Sequence, residues 1–203
     1  MKLKVNPNRM ELLRLRRRLA LAEKGHKLLK DKLEELMRQM LEASKKLAAL
    51  KEKVDKEFEI ITRALATTRM TAPLSELAEF IPEGQLELWV DKGRLLNLTV
   101  PEFGLGEFQV GSYDLFLTES ELDIAVKHFQ KILPELLEFG SLWKKLELLA
   151  HEIEVTRRRV NALEYILIPS LQETIQSISS RLEEIERSYQ VQLMRVKEIV
   201  RHH

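Results

Sequence analysis

The first third of the chain carries a narrow seam of apolar residues, spaced alternately three and four positions apart and flanked mostly by charged residues. Such a narrow and long stripe is typical of a coiled coil, whereas a helix of a globular core has a wider and shorter apolar face. Beyond Val54 the apolar pattern continues through Phe58, Ile61 and Leu65, which predicts a stutter in the supercoil. Up to that point the seam consists of Leu12, Leu15, Leu19, Ala22, His26, Leu29, Leu33, Leu36, Met40, Ala43, Leu47, Leu50 and Val54.

The last third of the chain carries a second stripe with the same spacing, and this stripe has a gap at Thr156. A helix cannot bury such a seam alone, so the two stripes predict a pair of helices that pack antiparallel. The predicted fold class is therefore mainly α, a long antiparallel two-helix coiled coil formed by the N- and C-terminal helices, with a small mixed end region that contains a β-hairpin. The second stripe consists of Leu146, Leu149, Ile153, Val160, Leu163, Leu167, Leu171, Ile175, Ile178, Leu182, Ile185, Tyr189, Leu193, Val196 and Val200.

Three segments follow from this pattern: an N-terminal coiled-coil helix over residues 1–68, an end region over 69–140 and a C-terminal coiled-coil helix over 141–203. Asn6-Pro7 is a strong start signal for the first helix, and Asn8 followed by Glu11 is a second one. We expect Pro73 to end or bend that helix and Pro134 with Gly140 to break or bend the stretch before the last one. Pro169 lies inside the last helix and predicts a kink.

The end region contains signals for a short helix over 74–80 and for a β-hairpin near 85–100. Leu86, Leu88 and Val90 alternate with polar residues and Trp89, and Asp91-Lys92-Gly93 marks the expected turn. Residues 101–111 hold three glycines and a proline, which favours a loop. The four residues 118–121, Thr-Glu-Ser-Glu, form a capping box that starts the returning chain.

Charge is unevenly distributed along the chain although the net charge is only +1. Residues 1–53 hold 16 Lys and Arg against 7 Asp and Glu, whereas residues 69–139 hold 5 against 13. This asymmetry favours two different kinds of neighbour, although solvation of long helices is an alternative explanation.

Basic residues cluster at Arg14 and Arg16–Arg18, where nucleic-acid binding is one interpretation and contact with protein carboxylates or carbonyls is another. No aromatic residues are interleaved with this run, so we expect protein contacts and no nucleic acid. Lys24-Gly25-His26 interrupts the seam, and Gly25 would allow another chain to approach closely. His26 is expected to be a polar residue of the core, since no metal-ligand spacing links it to the other histidines.

Signatures of chemistry are missing from the sequence: it has no phosphate-binding glycine loop, nucleophile elbow, zinc pattern or dinucleotide fingerprint. It also has no cysteine, no signal-peptide pattern and no run of about 18 apolar residues. We therefore expect a non-catalytic chain without cofactor or metal, located in the cytoplasm and not inserted into the membrane.

Two runs near the ends of the predicted helices resemble the D-subunit family of V-type and archaeal-type rotary ATPases. The first is Pro7-Asn8-Arg9 with Leu12, Leu15, Arg18-Leu19, Ala22, Lys24-Gly25, Leu28-Leu29-Lys30 and Lys32. The second is Arg158-Arg159-Val160-Asn161-Ala162-Leu163-Glu164 with Ile168-Pro169 and Ile175. The resemblance covers about 60 residues and does not extend to residues 70–120.

The resemblance implies a central rotor shaft that transmits torque between a catalytic head and a membrane rotor ring. In the family the coiled coil enters a hexamer of catalytic A and non-catalytic B subunits, the F subunit binds its side, and the far end reaches a socket subunit on the ring. The alternative is a stand-alone coiled-coil scaffold or adaptor, for which the two end motifs would be accidental. The candidate partner contacts are Arg16, Arg17, Arg18, Lys24, Gly25, Arg157, Arg158, Arg159 and Asn161.

Overall fold

The computed structural model describes residues 5–71, 84–110 and 120–201, and within them the mainly α fold class is confirmed. Helix α1 spans Arg9–Thr71, strands β1 and β2 span Gly84–Leu95 and Leu98–Val110, and helix α2 spans Ser120–Ala162. A π-helical turn at Leu163–Leu167 leads into helix α3, Ile168–Arg201. The short helix predicted over 74–80 and the first half of the predicted capping box lie outside the described residues.

Helix α1 begins at the second of the two predicted start signals. The Asn8 side chain accepts a hydrogen bond from the Met10 amide at 3.3 Å, and the Asn8 carbonyl accepts one from the Leu12 amide at 3.0 Å. The Asn8 side chain therefore satisfies an amide that the first turn would leave unpaired, and its carbonyl accepts the first hydrogen bond of the helix. The helix starts two residues later than Asn6-Pro7 suggests.

The described chain divides into two compact units, and the first combines residues up to Glu35 with residues from Ile153 onward. Here the start of α1 packs antiparallel on α3: Arg9 contacts Glu186, and His26 lies beside Glu164. The buried cluster of this unit is Leu15, Leu171 and Ile178, surrounded by further apolar residues of both predicted seams. The pairing of the N- and C-terminal helices through these seams is thus confirmed.

The second unit, Leu36–Glu152, contains the rest of α1, the hairpin and most of α2. Its buried cluster joins α1 to α2 through Leu50, Val54, Ile61, Ala64, Ala125 and Ile132. The predicted stutter after Val54 is wrong, because Phe58 and Leu65 are exposed while Ala64 and Thr68 are buried. Counted through the buried positions, the heptad spacing continues without interruption from Val54 to Thr68.

Glu57 occupies the seam position three residues after Val54. A pattern based only on apolar residues does not include this position. Lys131 of α2 donates a 2.9 Å hydrogen bond to Glu57 Oε1, and His128 Nδ1 lies 2.6 Å from Glu57 Oε2. The hydrogen bond from Lys131, followed by that from His128, holds the pKa of Glu57 below its usual value, and Glu57 in turn raises the pKa of Lys131. A carboxylate is therefore accommodated in the seam because two groups of the neighbouring helix bind it.

Buried hydroxyl residues also belong to the second seam: Thr156 fills its gap, and Ser170 and Thr174 each precede an apolar seam residue by one position. Thr156, Ser170 and Thr174 are all buried. Ser170 donates to the Leu167 carbonyl at 2.9 Å, and Thr174 donates to the Ser170 carbonyl at 2.6 Å. The second seam therefore continues through Thr156, which is a polar residue of the seam and not a gap.

Helix α2 runs through Pro134 and Gly140 without a break, so of the predicted break or bend the break is wrong. Ile132 and Leu133 are buried next to Pro134, whereas Pro134 itself is exposed. Burial of these neighbours stabilises the helix although Pro134 has no amide hydrogen to donate.

The hairpin is longer than predicted, and its turn lies elsewhere. Leu95 pairs with Leu98, so Leu96 and Asn97 form the turn, while the expected turn residue Gly93 pairs with Val100 inside the sheet. Leu96 adopts φ 53°, a left-handed conformation that is unusual for leucine. The expected loop over 101–111 is strand β2 up to Val110.

Glycines allow β2 to continue where a loop was expected. Gly104 lies opposite Trp89, and a Cβ atom at Gly104 would stand only 2.1 Å from Trp89 Cζ2. Gly106 falls at a register shift opposite Glu87, where β2 holds one extra residue. The glycines therefore make room for side chains of β1.

Candidate interaction surfaces

The arginine clusters lie on the outside of the first unit, on two different helices. Arg16, Arg17 and Arg18 are exposed on α1, and Arg157, Arg158 and Arg159 are exposed near the end of α2. Arg158 pairs with Glu154 on its own helix. The other five form no ion pair or hydrogen bond with another described residue, so they are available to carboxylates of another chain.

The structure does not bring these two clusters together. His26 and Glu164 lie at the same level, with Nε2 and Oε2 3.4 Å apart. Arg17 lies nine residues from that level and Arg158 six residues from it in the opposite direction, since the helices are antiparallel. At 1.5 Å per residue the clusters are about 22 Å apart along the helix pair. They form two separate basic bands.

Lys24, Gly25 and Asn161 lie between these bands. A Cβ atom on Gly25 would meet no atom within 4 Å, so packing inside the chain does not require glycine there. Lys24 and Asn161 are both exposed. The level of His26 is therefore an open surface at which a partner backbone could lie close to α1.

The π-helical turn at the same level is a feature that sequence reasoning missed. The Ile168 amide donates to the Leu163 carbonyl, five residues back, instead of four. Pro169 has no amide hydrogen, and its ring crowds the carbonyl four residues earlier, which belongs to Tyr165 within the wide turn. Tyr165 and Ile166 are exposed there. In the sequence only Pro169 signalled an irregularity at this point of the helix, and it did not indicate that the irregularity is a π-helical turn.

The last four turns of α3 present an apolar stripe that nothing in the described chain covers. Helix α1 starts at Arg9, opposite Glu186, so the seam of α3 extends past the end of its partner. The seam residues concerned are 53–69% exposed, which corrects their predicted burial. They are Ile185, Tyr189, Leu193, Val196 and Val200.

The hairpin presents a second apolar face. Leu86, Leu88 and Val90 share one side of β1 and remain exposed, and Phe108, Leu105 and Phe103 pair with them across β2. Six apolar side chains thus cover one face of a two-stranded sheet.

The hairpin is attached to α2 through strand β2. The Phe103 amide donates a 2.9 Å hydrogen bond to Ser141 Oγ, which itself donates to the Leu137 carbonyl at 2.9 Å. A groove of about 420 Å³ runs between β2 and α2, with Pro101, Leu105 and Leu142 among its lining residues. The α2 helix therefore anchors β2, while the apolar face of β1 has no cover among the described residues.

Within the described residues, no group of three or more His, Cys, Asp or Glu side chains is placed to hold a metal ion. None of the described helices combines the length and apolarity needed to cross a bilayer. The surfaces that stand out are two basic bands and two apolar faces.

A comparison with known families gives a match over nearly the whole chain. The family model for the D subunit of ATP synthase matches residues 11–198. The chain belongs to the ATP synthase D-subunit family. The resemblance inferred from the two end motifs is thereby confirmed.

Curated relatives agree with this assignment. A protein of Acetivibrio thermocellus is 42% identical, with 98% of this chain and 92% of the relative covered. A protein of Thermoanaerobacter sp. strain X514 is 40% identical with 97% and 96% covered, and one of Clostridium botulinum strain ATCC 19397 is 43% identical with 98% and 96% covered. All three are named as the D subunit of a V-type ATP synthase. Identity at this level spans both end motifs and the intervening hairpin region.

Proposed function

We propose that this chain is the central rotor shaft of a V/A-type rotary ATP synthase and ATPase. It transmits torque between ATP hydrolysis or synthesis in a catalytic head and ion translocation by a membrane rotor ring. The chain itself is non-catalytic and holds no cofactor, since ATP chemistry belongs to the A subunits of the head. It resides in the cytoplasm, and the complex attaches it to the membrane.

The observation that carries this proposal is the apolar stripe at the end of α3. Four apolar residues in heptad spacing, Tyr189, Leu193, Val196 and Val200, lie beyond the level at which α1 starts, and exposed patches of this kind are typical of protein interfaces. A shaft that enters a ring of A and B subunits would bury such a stripe against the inner wall. A stand-alone scaffold would have no need for an apolar tip of this kind.

The basic bands fit the same function. We infer that Arg16–Arg18 and Arg157–Arg159 face the wall of the head or the F subunit, together with Lys24, Gly25 and Asn161. Because the two bands lie on different helices of the pair, the shaft is not symmetric around its axis and presses unequally on equivalent catalytic interfaces. Differential contact of this kind is what coupling between sites requires. We infer that the socket subunit on the membrane rotor ring covers the apolar face of the hairpin.

A test of this function compares two sets of substitutions at the end of α3. Replacing Tyr189, Leu193 and Val196 by Gln removes the apolar stripe, whereas replacing the exposed Arg187 and Glu198 by Ala alters the opposite side of the same turns without changing the net charge. Because these residues are already exposed, both variants should fold equally well by circular dichroism. Only the first should fail to assemble with A, B and F subunits. Equal assembly of both variants would contradict the proposed insertion.

A further inference from the structure

The outer face of α1 carries a second regular pattern, about half a helical turn away from the seam. Met10, Leu13, Arg17, Leu21, Lys24 and Leu28 follow one another at steps of three, four, four, three and four. We call these six residues the outer stripe. Its four apolar members are 50–73% exposed. A single exposed leucine is ordinary, but four in one line over five turns are not.

The two cations of the outer stripe have no partner inside the described chain. Arg17 and Lys24 are exposed and make no ion pair or hydrogen bond with another described residue. They stand at positions where a fully apolar seam would have leucines. From Leu13 onward, apolar and positive positions therefore alternate along a line with steps of three and four, and a helix with complementary side chains can recognise such a line.

One end of the stripe opens on a groove. Leu12 and Leu13 of α1 and Leu182 of α3 line a space of about 310 Å³ in the first unit, and its lining is completed by the polar residues Arg9, Ser179, Glu183 and Glu186. This volume accommodates one or two large apolar side chains. Leu13 belongs to both features, so a helix lying along the stripe could insert an anchor side chain into the groove.

We propose that the outer stripe binds an amphipathic helix of another subunit, which carries apolar and acidic residues at the same three-four spacing. Its carboxylates lie against Arg17 and Lys24, and its apolar residues cover Leu13, Leu21 and Leu28. The inference rests on the proposed function, which supplies the subunits from which the helix can come. What the inference adds is the apolar and acidic chemistry of that helix and the residues of α1 that it contacts.

An anionic membrane surface would also attract apolar and basic residues, but the pattern favours a helix. The stripe is one residue wide, residues 9–28 include no aromatic side chain, and the opposite face of α1 is packed on α3. A helix that lies in a membrane interface has a broad apolar face instead.

The absence of cysteine from the chain permits a direct test by labelling. Leu21→Cys places a thiol on the outer stripe, and Ser180→Cys places a matched exposed thiol on the outside of α3. The rates of reaction with a maleimide are measured for the free chain and for the complex reconstituted with A, B and F subunits. On assembly the Leu21→Cys rate should fall at least about tenfold, a factor that corresponds to 1.4 kcal/mol of protection. The Ser180→Cys rate should change less than about twofold on the same scale.

Charge reversal tests the acidic character of the helix. Arg17→Glu with Lys24→Glu in the Leu21→Cys chain should restore fast labelling in the complex. Lys27→Glu with Lys30→Glu makes the same change in net charge off the stripe and should leave the protection intact. Leu28→Cys serves as a second reporter if Leu21→Cys fails to fold.

The outcomes separate this inference from the proposed function. A complex that assembles and hydrolyses ATP while Leu21→Cys and Leu28→Cys remain fully reactive would overturn the inference alone. A wild-type chain that never enters the complex would overturn both. Protection by anionic phosphatidylserine vesicles but not by the assembled subunits would assign the stripe to a membrane and also overturn the inference.

Discussion

Gly25→Ala should stabilise the free chain and weaken its assembly, two opposite effects of one methyl group. Gly25 lies inside α1, and a Cβ atom there meets nothing within 4 Å. Alanine is favoured over glycine in a helix interior by about 1 kcal/mol, and no clash offsets this gain. For a chain of this length 1 kcal/mol raises the melting temperature by roughly 2–4 °C.

The effect on assembly has the opposite sign if a partner backbone packs against Gly25. A methyl group inserted into a well-packed contact costs about 1–3 kcal/mol, which corresponds to roughly a 5- to 150-fold loss of affinity. Thermal unfolding followed by circular dichroism measures the first effect. Titration of labelled chain with the A, B and F subunits measures the second.

Gly140→Ala is the matched control for this experiment. Gly140 also lies inside a helix, and its Cβ atom would stand 3.8 Å from Phe103 Cδ2, an ordinary contact. Both variants should gain similar stability, but only Gly25→Ala should lose affinity. A lower melting temperature of Gly25→Ala would refute the claim that the surface around Gly25 is open in the free chain. Equal affinity of the two variants for the A, B and F subunits would refute a partner contact at Gly25.

Three further predictions concern the packing of each part. Leu171→Ala removes a fully buried seam residue and should lower the free energy of unfolding by about 2–5 kcal/mol in urea titrations. Glu57→Gln should lower the melting temperature between pH 5 and 9, where Glu57 and Lys131 are both charged. The pKa of Glu57 is lowered by folding, so its contribution is lost as pH falls through that pKa, and the two proteins should converge in acid. Gly104→Ala would place a methyl group inside the Trp89 ring and should loosen the hairpin, seen as faster proteolysis near residues 84–110 with unchanged helix content.

The long helices could be predicted because their seams are mostly apolar, but the polar seam positions could not. Counting apolar residues alone leads from Val54 to Phe58 and suggests a stutter. In the structure the seam position is Glu57, and its carboxylate is tolerated there because His128 and Lys131, some 70 residues away in sequence, bind it. A partner this distant in sequence leaves no local signal, so the regular heptad is visible only in the folded chain.

In the hairpin, too, the local sequence signals of turns and glycines do not predict the structure. Asp91-Lys92-Gly93 has the composition of a tight turn, yet the chain turns at Leu96 and accepts a left-handed leucine. Pairing along two long strands outweighs the local preference, which is worth only about 1–2 kcal/mol. Gly104 reads as a loop signal in sequence, whereas in the sheet it is the space into which Trp89 fits.

The candidate surfaces were predictable in part. The arginine runs were visible in sequence and are exposed as a partner contact requires, although their contacts remain a prediction. The apolar tip of α3 was not anticipated, because its residues belong to a seam that should be buried. It is exposed because α1 begins at Arg9, opposite Glu186, and no described residue covers the following turns of α3.

The rotation of single complexes tests the central claim most directly. Lys92→Cys places one thiol on the exposed side of the hairpin of a chain that has no other cysteine, and a bead can be attached there. With the A and B subunits fixed to glass, ATP should drive the bead continuously in one direction, at a speed set by the rate of hydrolysis. Random fluctuation of the bead while the same complexes hydrolyse ATP would contradict the assignment of this chain as the rotor shaft.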